Sequence, residues 1–127
     1  MKILKSGVIA IALLLSTSAA FAENIGSGRF TGASNHLTSG KVSVSKANGK
    51  ITIQLGKAFS LDGAPDPYVA LGHGNKPVKG GLIKILQNNN GAQTYTASAN
   101  GIDLANVNSV IIWCKKYSVP LGVAKIK

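Results

Sequence analysis

Apolar and polar side chains alternate along much of the chain, with the period of two that is typical of half-buried β-strands. The alternation is clearest over 41–46 and 51–55, on either side of Asn48-Gly49. Because Asn-Gly is the preferred pair for a two-residue type I′ turn, these segments predict a β-hairpin. Its core-facing side chains would be Val42, Val44, Ile51, Ile53 and Leu55.

Further strand-like segments follow at regular spacing, with turn signals between them. The candidate strands are 28–33, 68–71, 82–86, 93–97, 109–115 and 121–126. Residues 109–114 are apolar on both faces, which predicts a central position in a sheet, and one helical turn is expected around Leu104. The pattern of about eight short strands predicts an all-β fold, an antiparallel β-sandwich or barrel.

The first 22 residues have the three parts of a secretory signal peptide. Lys2 and Lys5 precede an apolar run over 7–15, and a stretch of small residues ends at Ala22. The apolar run is too short to span a bilayer. We therefore predict cleavage after Ala22, a single domain over 23–127 without a transmembrane segment, and a periplasmic or secreted location. The alternative is an uncleaved N-terminal anchor.

The chain is strongly basic, with 14 Lys and Arg against 4 Asp and Glu and a formal net charge of +10. The lysines are dispersed, aromatic residues are few and no nucleic-acid-binding module is visible, so no nucleic-acid partner is expected. Weak binding to anionic envelope surfaces would suit the charge, and dispersed solubilising charge is the simpler interpretation. The scarcity of acidic residues disfavours a hydrolase that uses paired carboxylates.

Candidate chemistry centres on Cys114, the only cysteine, with His36 and His73 as the only histidines. No His or Met closely follows Cys114, which argues against a blue-copper site. A haem held by a Cys thiolate or by His stays open. If the thiol is exposed, Lys115 and Lys116 would favour the thiolate; the alternative is a buried thiol that behaves as a small hydrophobic side chain.

The residues at 109–124 read Ser-Val-Ile-Ile-Trp-Cys-Lys-Lys-Tyr-Ser-Val-Pro-Leu-Gly-Val-Ala. This order resembles the hallmark of the DM-thirteen domain, an electron-transfer module of exported proteins. Looser similarities to the same family lie over 28–40, 59–71 and 82–95. Two departures, Ile85 in place of a small or polar residue and the lack of a proline before 102–104, lie outside the cysteine strand and leave the resemblance intact.

The resemblance implies an all-β fold and a redox role centred on Cys114, either as a naked thiol or as the holder of a prosthetic group such as haem. It implies that His36 is a second ligand or a proton partner, and that Trp113 and Tyr117 form packed surroundings. The protein would then exchange electrons or thiols with an envelope redox partner protein and would not be a stand-alone enzyme. The alternative is a non-catalytic basic β-sandwich that binds in the cell envelope, with Cys114 as plain core.

Overall fold

The computed structural model describes residues 21–127, which are almost entirely β. The predicted signal peptide lies, apart from its last two residues, outside the described residues, so its cleavage stays a prediction. The strands are β1 (Glu23–Gly32), β2 (Thr38–Ser39), β3 (Lys41–Ala47), β4 (Lys50–Leu55), β5 (Ser60–Leu61), β6 (Pro67–His73), β7 (Lys76–Ile85), β8 (Gln93–Ser98), β9 (Ser109–Cys114) and β10 (Val119–Lys125). The expected helical turn is a single 3-10 turn over Leu104–Asn106. Within the described part of the chain, no helix is long and apolar enough to cross a membrane.

Eight strands form one antiparallel sheet in the order β7-β6-β9-β10-β1-β3-β4-β8, and β2 pairs with β5 beside it. The two edge strands, β7 and β8, contact each other, so the sheet is nearly closed. The loop after β8 also bonds to β7, since the Asp103 N–H donates to the Lys79 carbonyl at 3.0 Å. The all-β prediction is therefore confirmed, with a barrel-like form.

The predicted hairpin is formed by β3 and β4, with Val44 opposite Ile53 in the ladder. Asn48 and Gly49 have φ angles of 53° and 74°, and a type I′ turn requires positive φ at both central residues. All five side chains assigned to the core are buried there.

Strand β9 lies between β6 and β10, in the central position that its apolar faces predict. Val110, Ile112 and Cys114 point into the core, so Ile111 and Trp113 lie on the outer face. Ile111 is nevertheless fully buried. Its side chain lies across Gly72, where an added Cβ would overlap the Ile111 Cδ1 atom.

Residues 72–77 lie outside the strands predicted from the sequence, yet they close the hairpin between β6 and β7, with His73 opposite Lys76. Gly74 turns the chain with a φ of 61°. Pro77 is accommodated because β7 is an edge strand, where a proline does not remove a ladder hydrogen bond from the interior of the sheet. The prediction also made β1 too short, since the strand begins at Glu23.

Candidate functional site

The thiol of Cys114 lies inside one end of the barrel. Cys114 is the last residue of β9, opposite Val119 of β10 and Pro67 of β6. Its side chain is only 1% exposed, and the Sγ atom donates a hydrogen bond to the Pro65 carbonyl at 3.2 Å. In this structure the Cys114 thiol is therefore a hydrogen-bond donor that is shielded from solvent.

A short segment over 62–66, which we call the cover loop, provides the hydrogen-bond acceptor for this thiol. Asp66 has a φ of 57°, an uncommon conformation for a non-glycine residue. Its carbonyl accepts a hydrogen bond from the Lys115 N–H at 3.1 Å, which joins the loop to the turn after β9. Ala64 packs against the core from the middle of the loop.

The other end of the cover loop is held by Asp62. One carboxylate oxygen is 2.8 Å from Nδ1 of His36, and the other accepts the Leu37 N–H at 3.0 Å. The Leu37 N–H and then the His36 side chain hold the pKa of Asp62 below its ordinary value. In return, the Asp62 N–H donates to the Leu37 carbonyl at 3.0 Å, so this end of the loop is tied at three points.

No hydrogen bond of the described residues joins His36 directly to Cys114. It connects them through the cover loop, since His36 binds Asp62 at one end and the thiol binds Pro65 near the other. His36 is therefore placed to position this loop. Asp62 is one of only four acidic residues in the chain, but no local motif relates it to His36, so the sequence alone gives no signal for this contact.

The expected aromatic surroundings of the thiol are different in the structure. Trp113 is half-buried on the outer face of β9, opposite Tyr68 and Pro120 in the ladders, so its side chain points away from the sulfur. Tyr117 is 61% exposed, contrary to the packed position expected for it, because it lies in the turn between β9 and β10.

The two lysines that follow Cys114 are also directed elsewhere. The Nζ atom of Lys115 is 5.3 Å from the centre of the Tyr68 ring, and that of Lys116 is 5.4 Å from the Tyr117 ring. The thiol is not exposed, so the condition under which these cations would favour the thiolate is not met in this state.

No hydrogen bond of residues 21–127 joins the Cys114 sulfur to a histidine. The sulfur is engaged with Pro65, His36 is engaged with Asp62, and Nδ1 of His73 is 2.8 Å from the Asn106 carbonyl. Among residues 21–127 no three His, Cys, Asp or Glu side chains cluster in a way that could hold a metal ion. Neither of the two clefts described below is lined by Cys114 or by a histidine.

The fold and this site define a small all-β, barrel-like domain with a single buried thiol under a hydrogen-bonded loop. The family model described as electron transfer DM13 matches residues 29–126, and the chain belongs to this family. No curated protein and no solved structure matches the chain. Membership points to electron transfer as the general class of role.

Proposed function

We propose that the protein is a periplasmic or secreted redox module in which Cys114 is the redox-active group and works without a bound prosthetic group. The observation that carries the proposal is the placement of the only cysteine at a barrel end, hydrogen-bonded to a surface loop, in a chain of an electron-transfer family. The predicted signal peptide supports the location, because disulfide chemistry suits an oxidising compartment.

The reaction we propose is thiol–disulfide exchange with an envelope partner protein. The Cys114 thiol loses its proton to solvent and attacks a disulfide of the partner, which breaks the partner's S–S bond and forms a mixed disulfide. A thiol of a second partner, a dithiol protein of the envelope, then attacks the Cys114 sulfur of the mixed disulfide and releases the first partner as a dithiol. The other thiol of the second partner breaks the new mixed disulfide, which forms that partner's own disulfide and restores the Cys114 thiol. Because the sulfur is only 1% exposed, the cover loop must move before the attack.

In this proposal His36 acts as a positioning residue through Asp62, instead of binding a cofactor. Breaking the contacts of Asp62 would free one end of the loop without altering the thiol itself. The rate at which Cys114 reacts in the native state should therefore depend on Asp62, although the two residues do not touch.

The test is the rate of reaction of Cys114 with dithionitrobenzoate under native conditions, compared with the rate of global unfolding. We expect the thiol to react faster than the protein unfolds, and Asp62→Asn to react faster still. Lys84→Gln, a charge change at an exposed position of β7, serves as the matched control and should react like the parent. If all variants react only at the rate of global unfolding, Cys114 is core and the proposal is wrong.

The absence of a prosthetic group is tested separately, with protein purified from a haem-competent host. We expect no intense visible band before or after reduction. A haem band that disappears in Cys114→Ser would overturn the cofactor-free mechanism while keeping Cys114 as the redox site. The alternative function, a non-catalytic binding module, depends on a basic surface that does not include the thiol and is described next.

A further inference from the structure

Two neighbouring clefts on the outside of the barrel form a continuous basic surface. The first has a volume of about 610 Å³ and is lined by Arg29, Lys41 and Lys57 among others. The second has a volume of about 520 Å³ and is lined by Arg29 and Lys125. Because Arg29 lines both clefts, we treat them as one feature, the basic groove.

The groove runs across four neighbouring strands, β4, β3, β1 and β10. Adjacent strands are about 4.8 Å apart, so the groove extends over roughly 14 Å. That length is sufficient for more than one anionic group of an extended polymer. The four cations are all exposed, and none of them forms an ion pair with a carboxylate of residues 21–127.

The arrangement of these charges opposes folding, which indicates that they serve binding. Arg29 of β1 is directly opposite Lys41 of β3 in the ladder, and like charges in directly opposite positions destabilise a sheet. No acidic side chain of the described residues lines either cleft to offset this repulsion. A bound anion would supply the missing counter-charge.

The remaining side chains of the groove indicate the chemistry of the ligand. Hydroxyl and amide groups are supplied by Ser27, Ser43, Gln54, Thr31 and Asn75. These groups are suited to hydrogen bonds with sugar hydroxyls, and the planar guanidinium of Arg29 is suited to bidentate contact with a tetrahedral oxyanion. No aromatic side chain of the described residues lines the groove, which disfavours single-stranded nucleic acid, since its bases bind by stacking. The larger apolar side chains that line it, Val42, Leu55 and Val123, are buried or half-buried, so the groove offers no large exposed apolar side chain that could insert into a membrane.

We propose that the basic groove binds an anionic polysaccharide, a linear sugar polymer that carries phosphate or sulfate esters. Arg29 makes the central contact with one ester group, while Lys41 and Lys57 on one side and Lys125 on the other bind the neighbouring groups. The site is separate from Cys114, so binding does not depend on the proposed redox function.

The experiment measures the affinity of the full chain for dextran sulfate and for a phosphorylated mannan, which distinguish the two esters. Neutral dextran, oligo-dT and anionic phospholipid vesicles are the comparison ligands. We expect at least one esterified polysaccharide to bind in a salt-dependent manner, and neutral dextran not to bind. Equal or tighter binding of oligo-dT or of the vesicles would overturn the assignment to a polysaccharide.

Two double variants test whether the groove itself is the site. Arg29→Gln with Lys41→Gln should raise the dissociation constant by roughly tenfold or more, because two charge-assisted contacts are lost. Lys84→Gln with Lys116→Gln changes the net charge by the same amount outside the groove and should change the dissociation constant less than about twofold. Equal weakening by the two pairs would show that net charge, not the groove, determines binding, and would refute the proposal.

Two further measurements separate binding from folding and from redox chemistry. The Arg29→Gln, Lys41→Gln variant should unfold at a temperature no lower than the parent, since it removes a repulsive pair; a large decrease with loss of binding would contradict this part of the argument. Cys114→Ser should bind the polysaccharide as the parent does. Loss of binding in Cys114→Ser would overturn the independence of the two sites.

Discussion

Ile111 provides a sharp test of how the outer layer of the barrel is packed. The side chain lies on the face of β9 that points away from the core, yet its exposure is 0%, the same as that of the core residue Ile112. A truncation on a solvent-facing surface usually changes the unfolding free energy by less than about 0.5 kcal/mol. Truncation of a fully buried isoleucine to alanine costs about 2–5 kcal/mol. We expect Ile111→Ala to fall in the second range, close to Ile112→Ala.

The assay is equilibrium unfolding in urea, followed by the fluorescence of Trp113, the only tryptophan. Ile111→Val should cost about 0.5–1.5 kcal/mol, because it removes a single methylene group. Ile85→Ala is the control, since Ile85 also lies near the outer face but is 47% exposed, and its cost should be small. The slope of the free energy against urea should be unchanged in all variants, which shows that the same surface is exposed on unfolding.

The reasoning would be refuted if Ile111→Ala cost less than about 1 kcal/mol while Ile112→Ala cost several. That result would mean that the outer face around Gly72 is open in solution. A thermal melt gives an independent reading, because a loss of 2 kcal/mol should lower the midpoint by roughly 8 °C or more in a domain of this size.

Three further predictions follow from single residues. Gly49→Ala should destabilise the protein by about 1–2 kcal/mol in urea unfolding through backbone conformation alone, because φ is 74° and no atom obstructs an added Cβ, whereas Asn48→Gly should be nearly neutral. The pKa of Asp62 is lowered in the folded state. Its contribution to stability is therefore present above its ordinary pKa of about 3.9 and is lost as the pH falls through the lowered pKa. Asp62→Asn should remove that acid-induced loss of stability from the pH profile of unfolding. Burial raises the pKa of Tyr95, so the unfolding free energy should fall as the pH rises above about 10, and Tyr95→Phe should abolish that fall. At neutral pH, Tyr95→Phe should cost about 0.5–1.5 kcal/mol of unfolding free energy, since the Tyr95 hydroxyl accepts the Gln87 N–H at 2.9 Å.

The parts of the fold that local patterns determine could be predicted from the sequence. The hairpin around Asn48-Gly49 follows from alternation and turn chemistry, which involve only neighbouring residues. The face of β9 that carries Cys114 follows from the alternation of a strand. The burial of Cys114 could not be predicted in this way, because it depends on closure of the sheet and on a loop from a different part of the chain.

The elements that were not predicted are held by long-range contacts. Residues 72–77 contain glycine and proline, which indicate a loop, but pairing of β6 with β7 makes them a tight turn at the sheet edge. The contact between His36 and Asp62 joins positions that no local spacing relates. The basic groove is likewise assembled from four strands, so its lysines and arginine appear dispersed when the chain is read in order.

The pairing of β1 with β10 has a consequence for biosynthesis. Phe30 is opposite Ala124 in this ladder, so one edge of β1 stays unpaired until the last strand has been made, although its other edge pairs with β3. Folds dominated by such distant pairings have high contact order and form slowly. During synthesis, the sheet would therefore stay open along this edge until the residues of β10 have been added.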